Sequence, residues 1–399
     1  MIEDKKDLNS LSLKWNTYKL EEICVKKGLV RGPFGGALKK EFFVEKGHKV
    51  YEQKNAIYKN AEIGNYYIDD VKYEELKRFR LFEGDFIVSC SGTIGKIYRI
   101  PKGAESGIIN QALLKITLDE EKVDGEFFNQ FFEWDNFQNK IIENTQGGAM
   151  KNLVGMKIFK NTTITIPSLS EQKKIAEILK TWDEAIELKE QLIKQKNIQK
   201  KGLMQNLLTG ELRIPGNNDN WEEVRLKDVV KKIKGKKLNY SEEGSIPCID
   251  MEFFETGRFK NYTEHAEVLS SLNDVLLLWD GSRAGRSYTG IEGAVGSTFV
   301  KLKCDGIDNW FLHYSLLNDQ SKIQRIREGS GIPHVPKDFL NYYKLKIPSI
   351  AEQKQISHTI GNFDKSVNLL IKEVDLLRSQ KKGLMQLLLT GKVRVGAEG

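Results

Sequence analysis

The segment Pro167-Ser168-Leu169-Ser170-Glu171-Gln172 returns as Pro348-Ser349-Ile350-Ala351-Glu352-Gln353, an offset of 181 positions. The same offset carries Lys200-Lys201-Gly202-Leu203-Met204-Gln205 onto Lys381-Lys382-Gly383-Leu384-Met385-Gln386. It also carries Leu207-Leu208-Thr209-Gly210 onto Leu388-Leu389-Thr390-Gly391, with no gap. A spacing held without insertion over such a stretch means that the length of the segment matters, as in one continuous rod.

Each copy opens like a helix. Proline precedes Ser168 or Ser349, and Glu171 or Glu352 follows three residues later, the spacing of a capping box. In the second copy Ile356, Ile360, Phe363, Val367, Leu370, Val374, Leu377, Leu384 and Leu388 alternate by four and three, broken only by Lys381. That is a heptad seam. The first copy offers Ile175, Leu179, Trp182, Ile186, Ile193, Leu203 and Leu207, with Lys189, Lys196 and Lys200 on the same seam. Gly210 and Gly391 suit left-handed C-caps. From Glu171 to Leu208 such a helix is about 57 Å long at roughly 1.5 Å per residue. Two of them fit side by side as a long coiled pair.

The segments between the helices share a frame and differ in filling. Trp15-Asn16-Thr17-Tyr18-Lys19-Leu20 echoes Trp221-Glu222-Glu223-Val224-Arg225-Leu226, and the first filling carries 25 more residues than the second. Both are dense in short β-prone runs between glycines, such as Phe86 to Ser89 and Val275 to Trp279. The expected class is α+β: two domains with twisted, mainly antiparallel sheets, separated by two long coiled-coil helices. The expected boundaries are an arm at 1–14, a first domain at 15–166, a helix region at 167–212 and a linker at 213–220. A second domain follows at 221–347 and a second helix region at 348–395.

Composition narrows the function classes. With 40% hydrophobic and 29% charged residues the chain reads as a folded protein, and 399 residues suit two or three domains. No apolar run reaches membrane-span length and the first residues lack a signal-peptide pattern, so a cytoplasmic protein is expected. Cys24, Cys90, Cys248 and Cys304 show no metal-binding or disulfide spacing and read as reduced structural thiols. The charge of +7 is compatible with a phosphate-binding surface without requiring one.

The order of these parts resembles the specificity subunits of type I restriction-modification systems. The resemblance rests on the paired I-P-S-x-x-E-Q helices ending K-K-G-L-M-Q-x-L-L-T-G and on the W-x-x-x-x-L restart, and it spans nearly the whole chain. It implies a non-catalytic DNA-binding subunit whose two variable segments are target recognition domains, each contacting one half of a bipartite, asymmetric duplex site. It further implies that the helices form an antiparallel coiled-coil spacer and scaffold two modification (methyltransferase) subunits, joined by up to two restriction (translocase and nuclease) subunits. No cofactor is expected on this chain; S-adenosylmethionine, ATP and magnesium are implied for those partners.

Two rival classes are an enzyme, such as a stand-alone methyltransferase or nuclease, and a structural coiled-coil adaptor that binds protein or RNA. The sequence gives the first little to work with. No N-P-P-[FY] tetrapeptide and no G-x-x-x-x-G-K-[ST] loop occurs. His48, His265, His313, His334 and His358 are dispersed, so neither a hydrolytic triad nor a metal site is expected.

Candidate DNA contacts follow from the chemistry of phosphates and base edges. Lys231, Lys232, Lys234, Lys236 and Lys237 form the densest basic run, and Lys39 and Lys40 a weaker one. The plain reading of such runs is a solvated loop; the functional one is phosphate contact. Arg283 and Arg286, beside Ser282 in a glycine loop, are candidate guanine readers, and Ser91, Thr93 and Lys96 occupy the matching loop of the first domain. Asn110, Gln111 and Gln146 are candidates for adenine, while Lys151, His334 and Lys337 are candidates for the duplex backbone. Turn chemistry and sheet-edge hydrogen bonding are the competing explanation for each. For helix pairing or partner subunits the candidates are the apolar seam residues Ile175, Leu179, Trp182, Ile186, Leu203, Leu207, Ile356, Ile360, Phe363, Val367, Leu384 and Leu388.

Overall fold

The computed structural model describes residues 15–144, 151–329 and 331–396, without the side chains of residues 143, 144 and 151. They divide into two compact units, the described residues within 1–188 and 375–399 forming one and those within 189–374 the other. The first long helix, Leu169–Thr209, starts in the first unit and ends in the second. The second long helix, Ile350–Leu388, does the reverse. At 41 and 39 residues both run unbroken, and Gly361 does not interrupt the second.

In the first unit β1 (Asn16–Lys19) and β2 (Cys24–Arg31) are followed by β3 (Phe86–Ser89), β4 (Ile97–Arg99), β5 (Leu113–Leu118) and β6 (Thr163–Ile166). β2, β5, β3 and β4 form an antiparallel sheet in that spatial order, and β1 pairs with β6 as a separate ribbon. β3 is apolar up to Ser89 because both its faces are buried. Phe86 and Val88 face the main core, and Ile87 faces a smaller core beneath a second sheet. That second sheet contains one parallel pair, His48–Tyr51 beside Gly107–Ile109.

The second unit repeats the plan. β7 (Glu222–Arg225), β8 (Val230–Lys234), β9 (Val275–Leu278), β10 (Ser287–Tyr288), β11 (Phe299–Cys304) and β12 (Lys344–Ile347) follow in order. The sheet order is β8, β11, β9, β10, the ribbon is β7 with β12, and the second sheet again holds one parallel pair. Val275 and Leu277 face one core while Leu276 and Leu278 face the other. Two fillings that resemble each other only faintly in sequence are therefore one fold in two versions.

The repeated helix motif explains how each unit closes. Ser168 meets the Glu171 amide only at 3.5 Å, and the Glu171 carboxylate does not return to cap its own helix. It is 2% exposed and accepts two 2.7 Å bonds from Arg394, which follows the other helix; the capping-box expectation is corrected in this respect. Glu352 takes Arg213 in the same way, at 2.7 and 2.8 Å. Each arginine also lies over a tryptophan ring, Arg394 over Trp15 and Arg213 over Trp221. Those rings pack on the left-handed glycines Gly391 (φ 70°) and Gly210 (φ 76°). The neighbouring glutamines clamp the globular parts: Gln172 accepts from the Asp124 amide, and Gln353 from the Asp308 amide.

The seam lysines have partners too. In the second unit Lys189 bonds Glu373 at 2.6 Å, Lys200 bonds Asp364, and Lys196 lies 5.9 Å from the Phe363 ring centroid. In the first unit Lys381 bonds Asp183 at 2.6 Å. Within each unit residue numbers on one helix rise as those on the other fall, so the helices pair antiparallel. Ile175, Leu179, Leu388, Leu207, Ile356 and Ile360 are buried, and so are Met204, Leu208, Met385 and Leu389, which lie off the heptad seam. These helix ends face a globular core as well as a helix, and the apolar stripe widens accordingly. Ile186 and Val367 are buried, while Trp182, Leu203, Phe363 and Leu384 are half-buried.

One core residue makes stability depend on pH. His313, enclosed by Trp310, Tyr314 and Ser287, has its imidazole pushed down to about 4 by burial and by nearby Lys200, against the pull of Asp364. Unfolding releases a histidine with an ordinary value of 6.5. The unfolded chain therefore takes up the proton first, and stability falls as pH drops from about 6.5 to about 4, by up to about 3 kcal/mol. Urea melts between pH 4 and 8 are expected to show this slope and to lose it in His313→Gln; an identical slope in the variant would refute the assignment.

Candidate nucleic-acid interface

At one edge of the first sheet three connections meet. β2 ends at Arg31 and runs into 32–40, β3 and β4 are joined by 90–96, and β5 is entered through 110–112. Sheet order places these ends side by side. Gly32 fixes the first connection, because a Cβ there would stand 1.8 Å from the Asn110 backbone carbonyl oxygen. The second is held by Ser89, whose hydroxyl donates to the Thr93 carbonyl and accepts from the Lys96 amide. Ser91, Thr93 and Lys96 are exposed on it. Lys40, Asn110 and Gln111 line one cleft of about 210 Å³. The Asn110 side-chain oxygen accepts from the Ala112 amide, so part of its capacity is turn chemistry. Lys39 is exposed and lies 3.5 Å from Glu41.

The second unit builds the same edge with other residues. Gly235 follows β8 with a Cβ position 2.1 Å from the Gly296 carbonyl, the counterpart of Gly32 on Asn110. The loop after β9 returns through Gly285, φ 89°, whose amide donates to the Leu278 carbonyl at 2.7 Å. Arg286 then pairs its backbone with Leu278 as Lys96 pairs with Ser89. Ser282, Arg283 and Arg286 are exposed there, and Arg286 lies over the Tyr288 ring at 5.4 Å. The Arg327 guanidinium donates to the Ser282 carbonyl at 2.5 Å and steadies the loop. His334 bridges to both Asp280 and Glu328, and Gly281 bonds the Pro333 carbonyl, so His334 joins this edge. Lys337 is exposed three residues on.

The basic run divides. Lys231, Lys232 and Lys234 belong to β8 and pair with β11, which corrects the loop reading for these three. Lys232 lies 4.2 Å over the Trp279 ring. Lys236 and Lys237 continue into the loop, where Lys236 meets Glu267 at 3.2 Å. Gln146 lies outside the described residues; Lys151 is in the strand Lys151–Leu153, with only its backbone described. Sequence reasoning passed over Arg31, Phe34 and Arg327, which share these edges; the glycines flanking Phe34 were the available signal for that residue.

Burial pushes the Cys24, Cys90 and Cys304 thiols up to about 12, away from nucleophilic use, and all four cysteines are free. Among the described residues no group of three or more His, Cys, Asp or Glu could hold a metal ion, and no helix is long and apolar enough to cross a membrane. One serine–histidine–aspartate contact forms despite the dispersed histidines. His48 lies 2.7 Å from the Ser106 hydroxyl and 2.9 Å from Asp70. Asp70 is 96% exposed, however, so water surrounds the group that would have to orient the imidazole.

A family model described as the type I restriction modification DNA specificity domain matches residues 13–196 and 218–375. The type I restriction enzyme MjaVIII specificity subunit of Methanocaldococcus jannaschii is 36% identical over 187 residues, 45% of this chain and 43% of that protein. The chain thus spans less than half the length of that relative. The putative MjaX specificity subunit of the same organism is 25% identical over 82% of this chain and 83% of its own. The fold is similar to that of the type I restriction-modification S subunit from M. genitalium, with a TM-score of 0.57, 16% identity and coverage of 97% and 99%. It is also similar to a chain in a structure concerned with complex assembly and conformational transition of the type I system, with a TM-score of 0.62, 16% identity and coverage of 94% and 97%.

Proposed function

We propose that this chain, which belongs to the type I restriction modification DNA specificity family, reads a bipartite, asymmetric duplex target and performs no chemistry of its own. The observation that carries the reading is the repeated loop edge: one sheet order, one glycine-anchored connection and one hairpin loop, filled with different side chains in each unit. Equal scaffolds with unequal loops suit two unequal half-sites. Lysines beside hydroxyl, amide and guanidinium groups supply both phosphate contact and base-edge hydrogen bonds.

In this reading the long helices carry two modification subunits and, through them, up to two restriction subunits. S-adenosylmethionine, ATP and magnesium belong to those partners, and the assembly works in the cytoplasm. The unbroken helices and the ungapped repeat support a ruler. Inserting one turn into each helix adds about 5.4 Å and is expected to change the tolerated gap between half-sites by one to two base pairs, at about 3.4 Å each. The test is to map methylated sites for the assembled complex. A gap unchanged by the insertion would contradict the ruler.

A further inference from the structure

We infer that Phe34 is the apolar base contact of the first domain and selects thymine at one position of its half-site. The inference rests on the DNA-reading function above and assigns one residue within it. Phe34 is 69% exposed although it is a large apolar side chain. Its loop does not let it fold back. Gly32 is locked against the Asn110 carbonyl and bonds the Leu113 carbonyl at 2.9 Å, Pro33 is buried, and Gly35 takes the left-handed conformation at φ 63°. The chain thus holds an aromatic ring outward at the edge where Asn110 and Gln111 also sit.

Charge chooses the occupant. Arg31, Lys39 and Lys40 lie within six residues of Phe34 in sequence; Lys39 faces Glu41 at 3.5 Å, and Lys40 shares a cleft with Asn110, Gln111 and Glu52, whose carboxylate is paired with Lys54. The Arg31 Nε is buried without a hydrogen-bond partner. Cations on the same chain segment as one exposed ring suit a polyanion that also offers an apolar group. In the major groove of DNA that group is the C5 methyl of thymine, and the flanking amides are the side chains that pair with adenine there. The corresponding connection of the second unit, after Gly235, carries Lys236 and Lys237 instead. At this position of the connection the apolar contact therefore belongs to the first unit only.

The test uses the chain assembled with its modification subunit and a duplex bearing the mapped target. Phe34→Ala is expected to weaken binding about tenfold and to relax one position of the first half-site, while Phe34→Leu keeps most of the affinity. Replacing the relevant thymine by deoxyuridine is expected to cost the unaltered complex about fivefold and the Phe34→Ala complex nothing, since only the missing methyl differs. Equal deoxyuridine losses in both complexes, or a Phe34→Ala complex that keeps affinity and motif, would overturn the assignment and leave DNA reading intact. A Phe34→Ala chain that no longer assembles with the modification subunit would show a protein contact and also overturn it. No duplex binding by the unaltered complex would instead refute the proposed function.

Discussion

Arg394→Ala is expected to lower the stability of the first unit by about 3 kcal/mol, the low end for breaking a buried ion pair, because the arginine itself is 39% exposed. The cost comes from Glu171, whose carboxylate is buried and would lose both its bonds. For a unit of this size that corresponds to a fall in melting temperature of roughly 6–12 °C. Arg394→Lys is expected to recover little, since an ammonium cannot reproduce two parallel bonds and the contact with Trp15. Adding Glu171→Gln to Arg394→Ala is expected to restore part of the loss by removing the stranded charge. Calorimetry of the unaltered chain, Arg394→Ala, Arg394→Lys, Glu171→Gln and the double variant checks this. Additive losses would show that the two residues do not act as a pair.

Arg283→Ala is expected to erase discrimination at one base of the second half-site, by about 5- to 150-fold, the range for a forked arginine–guanine contact of about 1–3 kcal/mol. Its loop is pinned by the Gly281–Ala284 and Leu278–Gly285 backbone bonds and by Arg327, so the side chain changes without the scaffold. Lys237→Ala supplies the contrast. Removing a phosphate-binding ammonium is expected to weaken binding to all sequences alike and to reduce the salt slope by about 0.9. The first half-site is expected to remain unchanged in both variants. Methylation sequencing combined with binding at several salt concentrations separates the two. Relaxation of the first half-site by Arg283→Ala would contradict the division of labour between units.

The long helices were legible because their signals are local or periodic: serine and proline at the start, a four-three seam, Thr-Gly at the end. The ion pairs were not. Glu171 and Arg394 are 223 positions apart, so a glutamate three residues after a serine looked like a cap when its partner lay beyond the other helix. Lys189, Lys196 and Lys200 read as faults in a seam; Glu373, Phe363 and Asp364 are what make them fit. Met204 and Met385 escaped because a heptad describes one contact face, and helix ends lodged in a core have two. The common fold of the two fillings was hidden for a related reason. Sheet order depends on pairings such as Leu276 with Lys301, which the run of a single strand does not encode. The loop candidates Ser91, Lys96, Arg283 and Arg286 were found through their flanking glycines, whereas Phe34 was missed because its exposure is a tertiary property.

Co-expression of the chain with its modification subunit, followed by sequencing of methylated adenines across the host DNA, tests the central claim most directly. The account predicts a split motif, two short specific parts around an unspecific gap, that appears only when both chains are present. A continuous motif, or the same motif from the modification subunit alone, would contradict it.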